Sequence, residues 1–183
     1  MRFFDLMRRA GIFGAATILL GACNHTTLEP QERVAIAKLK DASGASIGTA
    51  ALLARGGATF LHLELENLPS GTKAIHLHST GQCHAPDFNS AGGHLNPGGN
   101  SHGKLSDAGK HLGDLENIVI PNDGRVATEL LVAQASGDVL SQILDDDGAA
   151  VVIHAGPDDY ASQPAGAAGP RIACGELVAA NND

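Results

Sequence analysis

Tryptophan is missing from this 183-residue chain, tyrosine occurs once and phenylalanine five times. Phe3, Phe4 and Phe13 lie in the opening segment, so only Phe60, Phe88 and Tyr160 serve the rest. That excludes an aromatic platform for stacking bases or sugars, and any core must be built from Val, Ile, Leu and Ala. Basic residues are scarce too: 12 Lys and Arg stand against 20 Asp and Glu, a net charge of −8. Such a surface argues against nucleic acid as a partner. The apolar run at residues 10–20 is too short for a permanent membrane span. No long stretch has convincing helical periodicity.

What stands at the N-terminus is informative. Arg2, Arg8 and Arg9 precede the apolar run, and small residues follow it up to Cys23, the layout of a secretory leader spanning 1–22. Leu20-Gly21-Ala22-Cys23 resembles a bacterial lipobox. The resemblance implies cleavage before Cys23, a diacylglycerol on its sulfur and acylation of the new amine. Together these supply the lipid signals that stable anchoring needs. The alternative is a soluble secreted protein whose leader happens to carry a cysteine. Residues 23–31 then form a short tether, polar after Cys23 and containing Pro30, and 32–183 a single domain. Without the leader, nine basic residues face nineteen acidic ones, a net charge of −10. Lipid on Cys23 would leave an even pair, Cys83 and Cys174, which an exported protein is expected to close as a disulfide. The expected location is the periplasmic side of the cell envelope. Asn24, where inner-membrane retention would use aspartate, points to the outer membrane.

From Glu32 onward the pattern has period two. RVAIAKLK alternates, and in TFLHLELENL the residues Leu61, Leu63 and Leu65 face one way. AIHLH follows, with Ile75 and Leu77 opposite His76 and His78. NIVI, the turn Pro121-Asn122-Asp123-Gly124 and RVATELLV predict a hairpin. AAVVIHA and GELVA are further strands, while SGDVLSQILDDDG suits a turn or two of helix. Residues 79–113 and 155–171 break the pattern with Gly, Pro, Asn, Ser and Ala, and loops of that length are usually functional or disordered. Many short strands with turn signals predict an all-β sandwich or barrel.

Nine histidines follow the leader, and six form one group: His76, His78, His94, His102, His111 and His154. Two histidines two apart on a strand share a face, about 6.5 Å apart, so both imidazoles can reach one ion. Taken alone, H-x-H suits two solvent-facing histidines equally well. The surrounding constellation adds weight: His94, His102, His111 and Asp114 offer three imidazoles and a carboxylate, the donor set of a closed four-coordinate zinc site. A loop so poor in apolar residues is expected to be fixed by the metal. His76, His78 and His154 lie on strands and offer imidazole to a metal such as copper. His25, His62 and His84 read as solvated surface residues.

Three blocks, AIHLHSTGQC, SAGGHLNP…SHGK…KHLGDL and VVIHAGPDD…GPRIACG, resemble the copper–zinc superoxide dismutase family in its bacterial exported, lipoprotein branch. The likeness runs from the first strand to Cys174-Gly175. It implies an eight-stranded Greek-key β-barrel or sandwich with two long functional loops, and one copper and one zinc per subunit. Copper ligands fall on His76, His78, His94 and His154. His94 also matches the bridge to zinc, completed by His102, His111 and Asp114. Cys83 and Cys174 match the family disulfide. Arg171 matches the arginine that holds superoxide beside copper, and Asp158 the carboxylate linking His76 to His102. His94 and Arg171 are the expected catalytic residues, His94 as a proton carrier. Departures are few: Ala74-Ile75 replaces Gly-Phe, Ser79 follows the second histidine, and AGAAGP before Arg171 is short and uncharged.

The resemblance therefore implies disproportionation of superoxide to dioxygen and hydrogen peroxide. A body of charge −10 repels a small anion, so attraction must be local, with Arg171 the leading candidate. Lys104 and Lys110 flank zinc ligands and read equally as steering charges or as solvated loop lysines. The competing function is a non-catalytic copper/zinc-binding or metal-buffering protein of the envelope. A zinc hydrolase fits poorly, because four protein ligands leave no open position for water. Monomer and homodimer both remain open.

Overall fold

The computed structural model describes residues 31–180 apart from Ala108; the leader, Cys23 and residues 24–30 lie outside the described residues. The strands are β1 (Glu32–Asp41), β2 (Ser46–Arg55), β3 (Ala58–Leu65), β4 (Gly71–Lys73), β5 (Ile75–His78), β6 (Ile118–Ile120), β7 (Val126–Ala133), β8 (Ala150–His154), β9 (Arg171–Glu176) and β10 (Val178–Ala179). An eight-stranded antiparallel sheet runs β5-β8-β9-β1-β2-β3-β7, with β10 also paired to β1. Its two edges are brought together by a small second sheet, because β4 enters β5 after one residue and pairs with β6, which leads into β7. The all-β, curled-barrel expectation holds.

Alternation explains the core. Leu39 on β1, Leu52 on β2, Leu61 and Leu63 on β3, Ile75 and Leu77 on β5 and Ile153 on β8 are all fully buried inside the sheet. Burying each such side chain stabilises by about 2 kcal/mol relative to exposure. β2 was not singled out by alternation, because its run Ala50 to Leu53 is buried on both faces. The short helix α1 (Gly137–Ile143) sits where one or two helical turns were expected.

Two expectations need correction. Pro121-Asn122-Asp123-Gly124 does make a tight turn, the Gly124 N–H donating to the Pro121 carbonyl at 3.0 Å. Yet β6 and β7 do not ladder with each other: β6 pairs with β4 and β7 with β3. A turn signal is local, whereas strand pairing follows the hydrophobic faces across the barrel. GELVA is also split: β9 begins earlier, at Arg171, the final residue of the segment read as loop, and ends at Glu176, while Val178–Ala179 forms the separate β10.

β5 places the chemistry. All four of its residues are buried, Ile75 and Leu77 in the barrel and His76 and His78 on the outer face beneath the long 79–117 connection. The loop is laid on the strand by backbone bonds: Leu77 N–H to Gly113 O at 2.9 Å, Leu95 N–H to Leu77 O at 2.8 Å, and Ser79 N–H to Gly93 O at 2.9 Å. A side chain at Gly113 would collide with the Leu77 carbonyl oxygen, which is why glycine stands there. The loop is not without apolar anchors either. Leu95 and Leu115 join the main core, while Phe88 and Ala91 pack on Ala150 and Val152 of β8. Metal is thus not the sole fastening.

Candidate metal centre

Six histidines and two carboxylates converge outside β5 and β8. Ligand atoms of His76, His78, His94 and His154 lie within 4.8 Å of one another, as do those of His94, His102, His111 and Asp114. All seven residues are buried or nearly so, with His94 the member common to both sets. The backbone explains the convergence: Leu77 bonds bring His94 opposite His78 and Asp114 opposite His76 in isolated β-bridges.

Hydrogen bonding fixes which nitrogens remain as donors to a metal. The Gly92 carbonyl can only accept, so His78 Nδ1, 2.9 Å away, carries the proton and leaves Nε2 as a lone pair. His154 Nδ1 donates likewise to Gly169 O at 3.0 Å, and His76 Nε2 donates to the Asp158 carboxylate at 2.9 Å. The atoms left over, His76 Nδ1, His78 Nε2, His94 Nε2 and His154 Nε2, are buried and unpartnered. Four buried, unpaired ring nitrogens aimed at one point would be costly without a cation, and imidazole nitrogen is a donor that suits copper.

On the other side of His94, three Nδ1 atoms gather around Asp114 Oδ1: His94 at 2.8 Å, His102 at 3.0 Å and His111 at 3.1 Å. Asp114 Oδ2 is held by the N–H groups of Gly103 at 2.8 Å and His111 at 3.0 Å. Three imidazoles and one oriented carboxylate oxygen fit zinc. Burial raises the Asp114 carboxyl, but bonds from His94 and the Gly103 N–H outweigh this and hold it well below the usual carboxylate range. Burial also opposes ionisation of Asp158. Its bonds to His76 and His102 and from the Tyr160 N–H prevail, and it too lies well below its ordinary value. Burial lowers His76, His78 and His154, His78 to about 2 and His154 to about 4, with repulsion from Arg171 contributing to the last two. These rings are neutral, ready ligands at physiological pH.

Asp158 links the two halves, accepting from His76 through Oδ2 and from His102 Nε2 through Oδ1 at 3.0 Å. Gly166 passes so close to this pair that a Cβ there would overlap the Asp158 carboxylate and the His102 ring. Sequence reasoning missed two clamps. Asn117 pairs both amide atoms with the Asp158 backbone at 2.9 Å, and Gln163 does the same to His102 at 2.8 and 3.0 Å. Neither belongs to a motif, so nothing local marks them.

The β8–β9 ladder slips between Ile153 and His154, so that His154 faces Arg171. Such an irregularity re-aims side chains. Arg171 donates to Phe88 O at 2.6 Å and Gly92 O at 2.7 Å, and borders a cleft of about 490 Å³ with Pro86, Asp87, Asn89, Gly169 and Pro170. Cys83 and Cys174 form a disulfide that ties the loop carrying Phe88 and Gly92 to β9. The two lysines are otherwise engaged. Lys104 pairs with Glu116 at 2.6 Å and lies over the Tyr160 ring, while half-buried Lys110 donates to the Asp114 carbonyl. Arg171 makes no ion pair among the described residues.

Two adjoining ligand sets sharing one histidine, on the outer wall of a curled antiparallel barrel, define a binuclear metal protein. The chain belongs to the copper/zinc superoxide dismutase family: residues 47–177 match the family model described as copper/zinc superoxide dismutase (SODC). A superoxide dismutase [Cu-Zn] of Aquifex aeolicus is 37% identical over 176 residues, covering 94% of this chain and 99% of that one. The crystal structure of a SOD-like protein from Bacillus subtilis superposes with a TM-score of 0.73 at 34% identity, covering 78% of this chain and 97% of that one. The Cu/Zn superoxide dismutase from Brucella abortus gives 0.67 at 25% identity, covering 81% and 100%.

Proposed function

We infer that this chain is a superoxide dismutase, converting two superoxide ions and two protons to dioxygen and hydrogen peroxide. The observation that carries the assignment is the meeting of four buried, unpartnered imidazole nitrogens beside a second ligand set that shares His94. In this reading His76, His78, His94 and His154 hold copper, and His94, His102, His111 and Asp114 hold zinc. Copper, when bound, supplies the one-electron exchange with superoxide, and the protein supplies geometry and electrostatics.

The remaining work falls to side chains. Arg171, with two carbonyls holding its guanidinium in place, keeps further N–H donors for a small anion entering the cleft. A half-buried cation that ligates no metal and makes no ion pair among the described residues favours a catalyst over a metal buffer. Nε2 of His94 would take up one proton between the half-reactions and deliver it to the reduced oxygen, which takes its second proton from solvent water and leaves as hydrogen peroxide. Asp158 keeps His76 and His102 in register. Lipid on Cys23 and residence on the periplasmic side of the envelope, at the outer membrane, belong to the same proposal; the leader pattern and the disulfide support them.

Metal analysis together with a superoxide-consumption assay, before and after chelation, tests the assignment. One copper and one zinc per chain with activity lost on chelation is expected; metal without activity would return the metal-buffer reading. Arg171→Gln should lower turnover about tenfold or more and flatten its dependence on ionic strength. A variant with the parent's salt slope would remove Arg171 from substrate attraction.

A further inference from the structure

Lys73 is the one lysine or arginine buried among the described residues, 9% exposed, and it belongs to neither ligand set. It ends β4 opposite Ile118 of β6, with the apolar Ile75 and Leu77 two and four residues further on. An apolar residue would fill such a place at no electrostatic cost, whereas a charge taken out of water needs a specific return. Its ammonium donates to the Ala155 carbonyl at 2.7 Å.

That carbonyl lies at a junction. His154 N–H donates to Ala74 O at 2.9 Å, and Ala74 N–H donates to Gly156 O at 2.8 Å. Ala155 N–H donates to Pro170 O at 2.8 Å and Gly156 N–H to Ala168 O at 2.9 Å. Residues 74, 154–156 and 168–170 are thereby laced into one packet beside the slipped register that sets His154 against Arg171. Lys73 acts on the peptide unit whose carbonyl is Ala155 and whose N–H is Gly156. A cation on that oxygen polarises the unit and strengthens the N–H bond to Ala168. Ala168 precedes Gly169, whose carbonyl fixes the His154 ring.

We propose that Lys73 is a positioning residue for the copper side of the centre. Through Ala155 it holds the junction that brings the Gly169 carbonyl to His154 and Arg171 to the same face. The inference rests on the reading that His154 and its three partners hold copper. The packet includes none of His94, His102, His111 and Asp114, so its effect should be selective.

The test uses the folded, zinc-loaded protein titrated with Cu(II) against a competing chelator, in the parent, Lys73→Met and Lys73→Arg. The methionine variant should lose about tenfold in copper affinity and change its Cu(II) electron paramagnetic resonance spectrum. Its zinc affinity should stay within about twofold of the parent's, and arginine should restore both copper readouts. Lys73→Gln, which keeps one donor, replaces the methionine variant if that one fails to fold. Parent-like copper affinity and spectrum in Lys73→Met, or equal losses of copper and zinc, would overturn the role. Failure of the parent itself to take up copper would overturn the ligand assignment beneath it.

Discussion

In the barrel wall the fully buried side chains include Leu61, Leu63, Ile75 and Leu77; in the roof, formed by the outer face of β5 and the loops over it, the buried ones include His76, His78, His102, Asp114 and Asp158. The wall is built from residues of one kind, any of which a similar hydrophobe could replace at modest cost. Each of the roof's polar residues has specific hydrogen-bond partners, and Asp114 and Asp158 have several each. Backbone conformation differs in the same direction. Of the described non-glycine residues with positive φ, Phe88, Tyr160 and Ala167 lie in the two roof loops and only Asn67 elsewhere. The wall stores apolar burial; the roof spends strain, a disulfide and paired charge on geometry.

The largest expected effect comes from cutting the bond between the regions. Cys83→Ser with Cys174→Ser opens a closure of 91 residues and should cost about 4 kcal/mol. It should also free the carbonyls of Phe88 and Gly92 that hold Arg171. Denaturant unfolding and the salt dependence of turnover measure the two parts. Lost stability with an unchanged salt slope would mean that the roof keeps its shape unaided.

Leu63→Ala strikes the wall alone and should cost about 3 kcal/mol. The loss should be equal with and without metals, since Leu63 belongs to the barrel's hydrophobic core and to neither ligand set. A cost that grows on metal loading would show that the two regions are coupled.

Acid titration separates them further. His154 titrates near 4 and His78 near 2 in the fold, against about 6.5 when unfolded. Below pH 6.5 the unfolded chain therefore binds protons that the folded, metal-free chain refuses. Stability is complete above pH 6.5 and falls by about 1 kcal/mol per pH unit for each ring, until about pH 4 for His154. Asp114 and Asp158, depressed in the fold, add stability above their unfolded value near 3.8 that disappears only at still lower pH. Denaturant melts of metal-free protein from pH 7 to 4 should show this slope, and a flat profile would refute it.

The smallest effect is at Ala167, whose φ of 53° suits asparagine better than alanine. Ala167→Asn should gain about 0.5 kcal/mol by unfolding titration. A loss instead would mean that the loop needs the small side chain more than it needs relief.

Much of this was legible in the residues. H-x-H on an alternating strand, the loop trio with Asp114 and the even cysteine pair stand as chemistry at short range, and each meets its partners in the fold. What sequence spacing misjudged was long range. The turn at Pro121 looked like a hairpin, the loop looked unanchored, and β9 looked shorter than it is. Asn117 and Gln163 carried no mark at all, because an amide that clamps a distant backbone looks like any surface amide.

The sequence by itself determined which donor atoms are on offer to a metal, because a metal selects donor atoms and those are written residue by residue. Tertiary structure decided which ring nitrogens stay unprotonated, which carbonyls hold Arg171 and how both faces of β5 come to be buried. Those depend on backbone groups supplied by segments far along the chain, and backbone groups are the same in every residue, so only the fold can tell them apart.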